Sequence, residues 1–430
     1  MRRVSIVVVA VLMLGAAAPA WAQGLPRAAT PEAVGLSSER LKRLGEAMRT
    51  GVDRGDVPGA VVLIARNGKT AYLEAFGFRD REATAPMKAD AIFRIASMTK
   101  PIVSLAIMML AEEGRLAIAQ PVSRYLPEFK DVKVGVEKKK EDGTIDLDLV
   151  PLQREMTVHD LLRHTSGLTY GVFGNARVDK MYLEAGVLDR NQTNVEFVTK
   201  LARLPLKHQP GTIWEYGVST DVLGRIVEVV SGLPLDQFIA ERITGPLRMP
   251  DTAFWVDGTK KGRVAEPQKD PQTGKRPPAR DVTEKPTWMS GGGGMVATAA
   301  DYGRFGQLWL NNGTLEGTRL ISRKTVELMT SDHLPPGLTV SPGAALSPNS
   351  LAPTPERALG FGLGFAVRQG TGRSPMYGSG GEFFWAGAAG TNFIIDPKEK
   401  LVAVLMIQSP AQMNPYRNLM RQLVYQAIID

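Results

Sequence analysis

The chain has 430 residues, 43% hydrophobic and 22% charged, as in an ordinary globular protein of one large or two moderate domains. It contains no cysteine, which excludes disulfides, a thiol nucleophile and cysteine-ligated metals. The formal net charge is +8, but basic and acidic residues are interspersed, and the one basic cluster, Lys138–Lys140, runs into Glu141 and Asp142, so no nucleic-acid partner is predicted.

The N-terminus has the pattern of a secretory signal peptide. Two arginines precede the apolar run Ile6–Leu14, and Ala20–Ala22 has the A-x-A form of a cleavage site. The alternative is an uncleaved anchor, but so short an apolar run spans a bilayer poorly. We therefore predict that residues 1–22 are removed on export. Residues 23–430 would then be a periplasmic or secreted protein without a stable membrane anchor.

Three elements are predicted before residue 115. A helical spacing of apolar residues follows Ser37 or Ser38, either of which is a suitable N-cap. Two apolar runs around Asn67-Gly68 predict a β-hairpin. A very apolar helix then begins after Ser97 and ends at Gly114.

The middle of the chain is mostly helical in pattern. Apolar residues alternate in 132–136 and 145–149 around a KKKEDG turn, which predicts one small hairpin. Helical patterns follow Thr157 and occupy residues 221–230 and 235–243.

Two long segments without periodicity interrupt the later part of the chain. Residues 256–287 and 334–358 are predicted to be loops, and the second is long enough to serve as a lid or pocket rim. Helical patterns, three apolar strand patterns and a closing helix complete the sequence. We therefore expect a sheet lobe from about 23–110 and 295–430, with a helical lobe from about 111–294.

The sequence gives no metal or cofactor signature. None of its four histidines lies in a metal-ligand pattern, and no G-x-S-x-G motif is present. We predict neither a metal nor a cofactor. The histidines are His159, His164, His208 and His333.

The stretch FRIASMTKPIVSLAIMML contains the strongest candidate for chemistry. Ser97 precedes Lys100 by three residues, which puts both on one helix face, with the hydroxyl near the positive end of the helix dipole. Burial against the apolar helix favours a neutral lysine, which can take the proton of the serine and make it a nucleophile. By itself, however, S-x-x-K often occurs by chance.

Two further features are compatible with the same site. Tyr216 follows Pro210-Gly211 just before a helix, where a phenol can relay a proton to a leaving group. The small residues Ala386–Gly390 open a terminal strand, where backbone N–H groups can approach a carbonyl. The alternatives are an ordinary packed aromatic residue and a tight strand crossing.

An ordered series of motifs resembles the class C β-lactamase superfamily and, within it, the family VIII carboxylesterases. The resemblance covers about residues 30–428 and implies an α+β fold, in which an antiparallel sheet flanked by helices carries an all-helical lobe. The motifs, in the order of the family, are PGAVVLIARNGK, FRIASMTK, TVHDLLRHTSGL, PGTIWEY, SGGGGMVATAADYGRF, GFGLGF and WAGAAGTNFIIDP.

The resemblance also implies a role for individual residues. Ser97 would be the acylated nucleophile and Lys100 its base partner, and Tyr216 falls at the tyrosine of the Y-x-N element. The N–H groups of Ser97 and Ala388 would form the oxyanion hole. The sequence Trp385-Ala386-Gly387 stands where the lactamases have K-T-G, so these three residues would contact substrate.

Two departures from the lactamase pattern concern the substrate. Val218 replaces the asparagine of Y-x-N, and Trp385 replaces the lysine of K-T-G. A buried carboxylate facing tryptophan would lose a charge-assisted partner, at a cost of about 1.5–3 kcal/mol. The site therefore looks suited to neutral, apolar acyl groups, unless Arg368 or Arg373 supplies the missing cation.

The leading hypothesis is a secreted serine hydrolase that cleaves short-chain carboxylic esters through an acyl-enzyme on Ser97. A β-lactamase, a D-amino-acid peptidase, an amide hydrolase and an acyltransferase of the same superfamily remain alternatives. From another class, the chain could be a catalytically silent protein that binds cell-wall peptide. The expected partner is a small ester or amide.

Overall fold

The structure is a computed structural model that describes residues 24–270, 273–346, 350–372 and 374–430. The predicted signal peptide lies outside the described residues. Within the described ranges, no helix is both long enough and apolar enough to cross a membrane.

The strands form one large antiparallel sheet and several two-stranded pairs. The large sheet has eight strands, and the first of them in the chain pairs with the last, so the two ends of the sequence meet in one sheet, as predicted. The strands are β1 (Gly59–Arg66), β2 (Lys69–Asp80), β3 (Ala85–Pro86), β4 (Phe93–Arg94), β5 (Val134–Lys139), β6 (Ile145–Val150), β7 (Ile213–Trp214), β8 (Val296–Ala297), β9 (Thr314–Leu315), β10 (Thr318–Arg319), β11 (Thr339–Val340), β12 (Leu359–Phe361), β13 (Ala366–Arg368), β14 (Phe383–Ala386), β15 (Asn392–Asp396) and β16 (Leu401–Ile407). The order across the large sheet is β12-β13-β14-β15-β16-β1-β2-β3.

The β1–β2 hairpin turns at Asn67-Gly68, as predicted. Arg66 pairs with Lys69, and the two turn residues have φ values of 52° and 77°. Two successive positive φ values match the twist of the flanking strands, and asparagine and glycine adopt them most readily.

The helices begin at caps that the sequence indicates. Ser37 accepts a hydrogen bond from Arg40 N at 3.2 Å, and Thr157 forms a reciprocal capping box with Asp160. The helices are α1 (Ser38–Asp53), α2 (Thr99–Glu112), α3 (Val158–Leu162), α4 (Arg177–Glu184), α5 (Asn194–Leu201), α6 (Ser219–Ser231), α7 (Leu235–Ile239), α8 (Ala299–Leu310), α9 (Arg323–Thr330), α10 (Pro342–Leu346) and α11 (Met413–Tyr425).

Helices cover both faces of the large sheet. Leu63 of β1 lies against Gly303 of α8, whereas the next residue, Ile64, pairs with Tyr72, which lies against Gly45 of α1. Because successive strand residues point to opposite faces, α1 and α8 lie on opposite sides. Helix α11 packs beside α1, and every residue of β1 is buried. This confirms the predicted α+β class.

The second lobe differs from the expectation in one respect: it is not all-helical. Helix α2 packs against α6 and α7, but β5 and β6 form the hairpin that the alternating residues predicted. Val136, Ile145 and Leu149 of this hairpin are exposed. An ion pair between Lys138 and Asp148 joins the two strands of the hairpin.

The segment 334–358, predicted to be a loop, contains the short elements β11 and α10. Its strand β11 pairs in parallel with β7, which directly precedes Tyr216. Leu351 and Ala352 of the same segment line a cavity beside Ser97, which confirms the predicted pocket rim.

Candidate active site

Ser97 lies in a single turn of 3-10 helix, Ala96–Met98, that leads directly into α2. The turn is anchored because Ile95 N donates to Met295 O at 3.1 Å and Met295 N donates to Thr99 Oγ1 at 3.1 Å. Ala96 has φ of 44°, an uncommon conformation for a residue with a side chain. The backbone around Ser97, the candidate nucleophile, is therefore held by hydrogen bonds to Met295, which lies outside the helix.

Lys100 lies at the centre of the site and is almost fully buried, at 1% exposure. Its Nζ is 3.3 Å from Ser97 Oγ, 2.8 Å from Tyr170 Oη and 2.7 Å from the carbonyl oxygen of Gly292. An ammonium group has three protons to donate, and these three acceptors use all of them. The structure thus brings Ser97 and Lys100 together, as the motif predicted.

The charge of Lys100 differs from the expectation. Burial lowers the pKa of Lys100, but Tyr170, Tyr216 and Asp221 raise it by more, so the net direction is upward. The prediction of a neutral lysine rested on burial alone, and the net upward direction of the pKa is opposite to it. The upward direction favours the ammonium form, which must lose a proton before the amine can act as a base.

Tyr216 lies beside Lys100 without a hydrogen bond to it among the described contacts. Lys100 Nζ is 4.7 Å from the centre of the Tyr216 ring, and the Tyr216 hydroxyl accepts a hydrogen bond from Trp385 Nε1 at 3.3 Å. The ring packs in an aromatic cluster with its stacked neighbour Trp214 and the buried His164. Tyr216 is therefore at the site, but its hydroxyl is aimed at the tryptophan.

Tyr170 is the phenol that contacts Lys100, and the sequence reasoning missed it. Burial raises the pKa of Tyr170, which keeps its hydroxyl protonated near neutral pH. The available signal was its position two residues after the TVHDLLRHTSGL motif. Only the tertiary structure brings it within 2.8 Å of the lysine.

Asp221 is a second residue that sequence reasoning missed. It is 1% exposed, accepts hydrogen bonds from Ser290 Oγ at 2.5 Å and Gly292 N at 3.0 Å, and lies at the start of α6. Burial raises the pKa of Asp221, while Lys100 and these donors oppose the shift. The carbonyl oxygen of Gly292 also accepts a hydrogen bond from Lys100, so Gly292 links the Asp221 carboxyl group to the lysine.

The end of β14 lies against the Ser97 turn, where the oxyanion site is predicted. A side chain on Gly387 would come within 2.3 Å of the carbonyl oxygen of Ile95, so only glycine permits this approach to the Ser97 turn. Ala388 is exposed, lies outside any strand, and no described backbone hydrogen bond uses its N–H. The small residues therefore end β14 and form the turn that leads into the terminal strand β15.

Two cavities meet at Ser97 and Ala388. The first, of about 190 Å³, is mostly apolar, and Trp385, Ala386 and Gly387 line it together with Tyr216. The second, of about 420 Å³, is lined by Tyr170, Asp221 and several arginines. A carbonyl held at Ser97 would have one substituent facing each cavity.

Two residues considered for substrate contact lie elsewhere. Val218 has no exposed surface, packs in the core at the start of α6 and lines neither cavity. Arg368 is 2% exposed and is paired with Glu382 at 2.6 Å. The charge of Arg368 is therefore already compensated by Glu382. Arg373 lies outside the described residues.

His159 and His333 contact each other. His159 Nε2 is 2.9 Å from His333 Nδ1, and burial lowers the pKa of His159 to about 4. Among the described residues no group of three His, Asp or Glu side chains is arranged to hold a metal ion.

A serine hydroxyl within hydrogen-bond distance of a buried lysine is an arrangement found in serine acyl-transfer enzymes. The chain belongs to the Beta-lactamase family, whose model matches residues 44–426. It is therefore a β-lactamase-family serine hydrolase, and the superfamily resemblance is confirmed.

Individual relatives include esterases. Protein Rv1367c of Mycobacterium tuberculosis is 36% identical over 373 residues, which are 84% of this chain and 88% of that protein. Esterase EstB of Burkholderia gladioli is 39% identical over 198 residues, 46% of this chain and 47% of its own length. EstCE1, a hydrolase with promiscuous acyltransferase activity, has a TM-score of 0.73 at 26% identity, over 90% of this chain and 98% of that one.

Proposed function

We propose that this protein is an exported carboxylesterase that cleaves esters of short, apolar acids through an acyl-enzyme on Ser97. The observation that carries the proposal is the contact of Lys100 with both Ser97 Oγ and Tyr170 Oη, next to an apolar cavity lined by Trp385. The esterases among its relatives support the choice of esters over other acyl compounds.

Acylation follows from the contacts of Lys100. The deprotonated amine takes the proton of Ser97 Oγ at 3.3 Å as that oxygen attacks the ester carbonyl. The oxygen of the tetrahedral intermediate then receives hydrogen bonds from the N–H groups of Ser97 and Ala388. When the C–O bond to the alcohol breaks, the Lys100 ammonium returns the proton to the leaving oxygen, directly or through Tyr170.

Deacylation repeats the sequence with water. Water attacks the acyl ester on Ser97 and gives its proton to Lys100, and Ser97 Oγ recovers that proton as the free acid departs. Tyr170 lies between Lys100 and the larger cavity, so it is suited to pass protons to groups there.

The small cavity accounts for the proposed acyl preference. Its volume of about 190 Å³ and its lining by Phe173, Trp214 and Trp385 favour a short apolar group. Trp385 offers one N–H donor, already directed to Tyr216, and no charge for a carboxylate. A β-lactam bound with its carboxylate on this side would find no cation at the position of Trp385, although Arg417 also lines this cavity.

One preparation assayed on two substrates tests the proposal. We expect kcat/KM for 4-nitrophenyl butyrate to exceed that for a chromogenic cephalosporin by at least a hundredfold, and Ser97→Ala to abolish both activities. If the cephalosporin is the better substrate, the β-lactamase alternative is favoured and the proposed ester preference is wrong.

Export is a separate part of the proposal and rests on the N-terminal pattern. The mature protein, recovered from periplasm or medium, should begin at Gln23 when its N-terminus is sequenced. Recovery of the complete N-terminus in a membrane fraction would instead identify residues 1–22 as an anchor.

A further inference from the structure

The larger cavity beside Ser97 carries more positive charge than the small cavity, whose mostly apolar lining includes one arginine, Arg417. It measures about 420 Å³ and its lining includes three arginines, Arg94, Arg190 and Arg280, but only one carboxyl residue, Asp221. Since both cavities include Ser97 and Ala388, a substrate bound at the nucleophile extends into the cationic cavity on one side.

Two of the charged groups are already compensated. Arg94 donates to Glu266 Oε1 at 3.2 Å and to the carbonyl oxygens of Ala265 and Arg280. Asp221 faces Lys100, and each favours the charged form of the other. What remains in the lining is the positive charge of Arg190 and Arg280.

Arg280 is a half-buried cation that lacks a carboxylate at hydrogen-bond distance. Its Nη2 donates to the carbonyl oxygens of Phe254 and Gly294, both at 2.7 Å, whereas its buried Nη1 has no hydrogen-bond partner among the described residues. Burial, with Arg94 and Arg190 nearby, lowers the pKa of Arg280 to about 10, although Asp281 opposes the shift. It is therefore still charged at pH 7, and a nearby anion would stabilise it.

The position of Arg280 is fixed relative to the catalytic lysine. Gly294, which accepts from Arg280, and Gly292, which accepts from Lys100, belong to one short loop. Arg190 is exposed at the edge of the cavity and forms no ion pair within the described ranges. The cavity thus combines one fixed cation with one accessible cation.

We propose that this cavity binds a carboxylate carried by the substrate, so that the preferred esters are apolar on one side of the carbonyl and anionic on the other. The inference rests on the proposed esterase function and narrows its substrate class. If the short apolar acid occupies the small cavity, the carboxylate belongs to the alcohol of the ester. In the opposite orientation it belongs to the acid, which would replace the proposed preference for apolar acids, and the choice of test substrates distinguishes the two.

The test compares charged esters with neutral esters of the same shape. For the acid side, 4-nitrophenyl hemisuccinate is compared with 4-nitrophenyl butyrate. For the alcohol side, the butyrate ester of 3-hydroxybenzoate is compared with that of its methyl ester. The measured quantity is the ratio of kcat/KM for the charged ester to kcat/KM for the neutral one, in wild type and variants.

Arg190→Gln and Arg280→Met are the informative variants, and Arg203→Gln is the matched control. Arg203 is also exposed and without an ion pair in the described part of the chain, but it lines neither cavity. If Arg280→Met fails to fold, Arg190→Gln keeps the test valid. Arg190 makes no hydrogen bonds to backbone carbonyls, among the described residues, such as those that Arg280 makes to Phe254 and Gly294.

We expect the charged-to-neutral ratio to fall about three- to fivefold in Arg190→Gln and at least about tenfold in Arg280→Met, on one of the two substrate pairs. It should not change in Arg203→Gln, and added salt should lower it in wild type. Equal ratios in wild type and both cavity variants would overturn the inference while leaving the esterase proposal intact. Failure of wild type to hydrolyse any of the four esters would instead overturn the esterase proposal itself.

Discussion

Two phenols flank the lysine of the site, and they make different contacts. Tyr170 receives a hydrogen bond from Lys100 Nζ at 2.8 Å, while the Tyr216 hydroxyl receives one from Trp385. The resemblance to the family assigns the proton relay to Tyr216, and the geometry adds Tyr170 as a second group that can pass a proton. Substitution of each tyrosine distinguishes these roles.

We expect Lys100→Ala to lower kcat by about 10²–10⁴-fold, because it removes the base. Tyr170→Phe should lower kcat by about tenfold or more, because it removes one of the three acceptors that orient the amine. The double variant should be hardly worse than Lys100→Ala, since the two residues act as a unit. Strictly additive losses would mean that Tyr170 acts independently of the lysine.

The same kinetic measurement on Tyr216→Phe completes the comparison. A loss of kcat close to that of Lys100→Ala is expected if Tyr216 relays the proton, as the resemblance implies. Wild-type kcat in Tyr216→Phe would leave the relay to Tyr170.

The raised pKa of Lys100 predicts how the rate depends on pH. The active form is the neutral amine, and a pKa above the usual value for lysine makes this form a small fraction throughout pH 6–9. The fraction, and with it kcat/KM for a neutral ester, should rise about tenfold per pH unit over that range. A plateau beginning below pH 8 would show that Lys100 is already neutral there.

At the scale of elements, a buried charge network holds the strand that carries Trp385. Glu382, directly before β14, accepts hydrogen bonds from Arg368 of β13 at 2.6 Å, from Arg421 of α11 at 2.5 Å and from Tyr425 at 2.6 Å. Glu382 has no exposed surface. The network therefore fixes two strands and a helix against each other beside the start of β14, the strand that carries Trp385.

Removal of the central carboxylate should destabilise the protein strongly. Glu382→Ala leaves two buried guanidinium groups unpaired, and we expect the free energy of unfolding to fall by about 3–5 kcal/mol. Urea unfolding followed by fluorescence measures this change. Glu39→Ala is the control: it breaks the exposed Arg43–Glu39 pair, and should change stability by less than about 0.5 kcal/mol. Equal effects in the two variants would contradict the structural role of the network.

At the scale of the whole molecule, local patterns predicted the elements, while the order of the elements along the chain, together with the resemblance, predicted their assembly. The Asn67-Gly68 turn, the Thr157 cap and the alternating residues of β5 and β6 each specify their structure over a few residues. The pairing of β1 with β16 joins residues more than 300 positions apart, so no local pattern contains it.

The parts of the site that the sequence did not reveal are those defined by tertiary contacts. Ser97 and Lys100 are one helical turn apart, and their proximity follows from helix geometry. Three other residues of the site come from separate segments: Tyr170, Asp221 and Arg280. Only in the folded chain does Tyr170 contact Lys100, and only there do Asp221 and Arg280 contact the loop of Gly292 and Gly294. The pKa of Lys100 depends on Tyr170, Tyr216 and Asp221, which is why burial alone gave the wrong direction.

The central claim is that Ser97 forms the acyl-enzyme, and one measurement tests it most directly. The protein is treated with a fluorescent alkyl phosphonate, digested and examined by mass spectrometry. We predict a single adduct on the peptide that contains Ser97, absent in Ser97→Ala and reduced in Lys100→Ala. An adduct on another peptide, or undiminished ester hydrolysis by Ser97→Ala, would contradict the account.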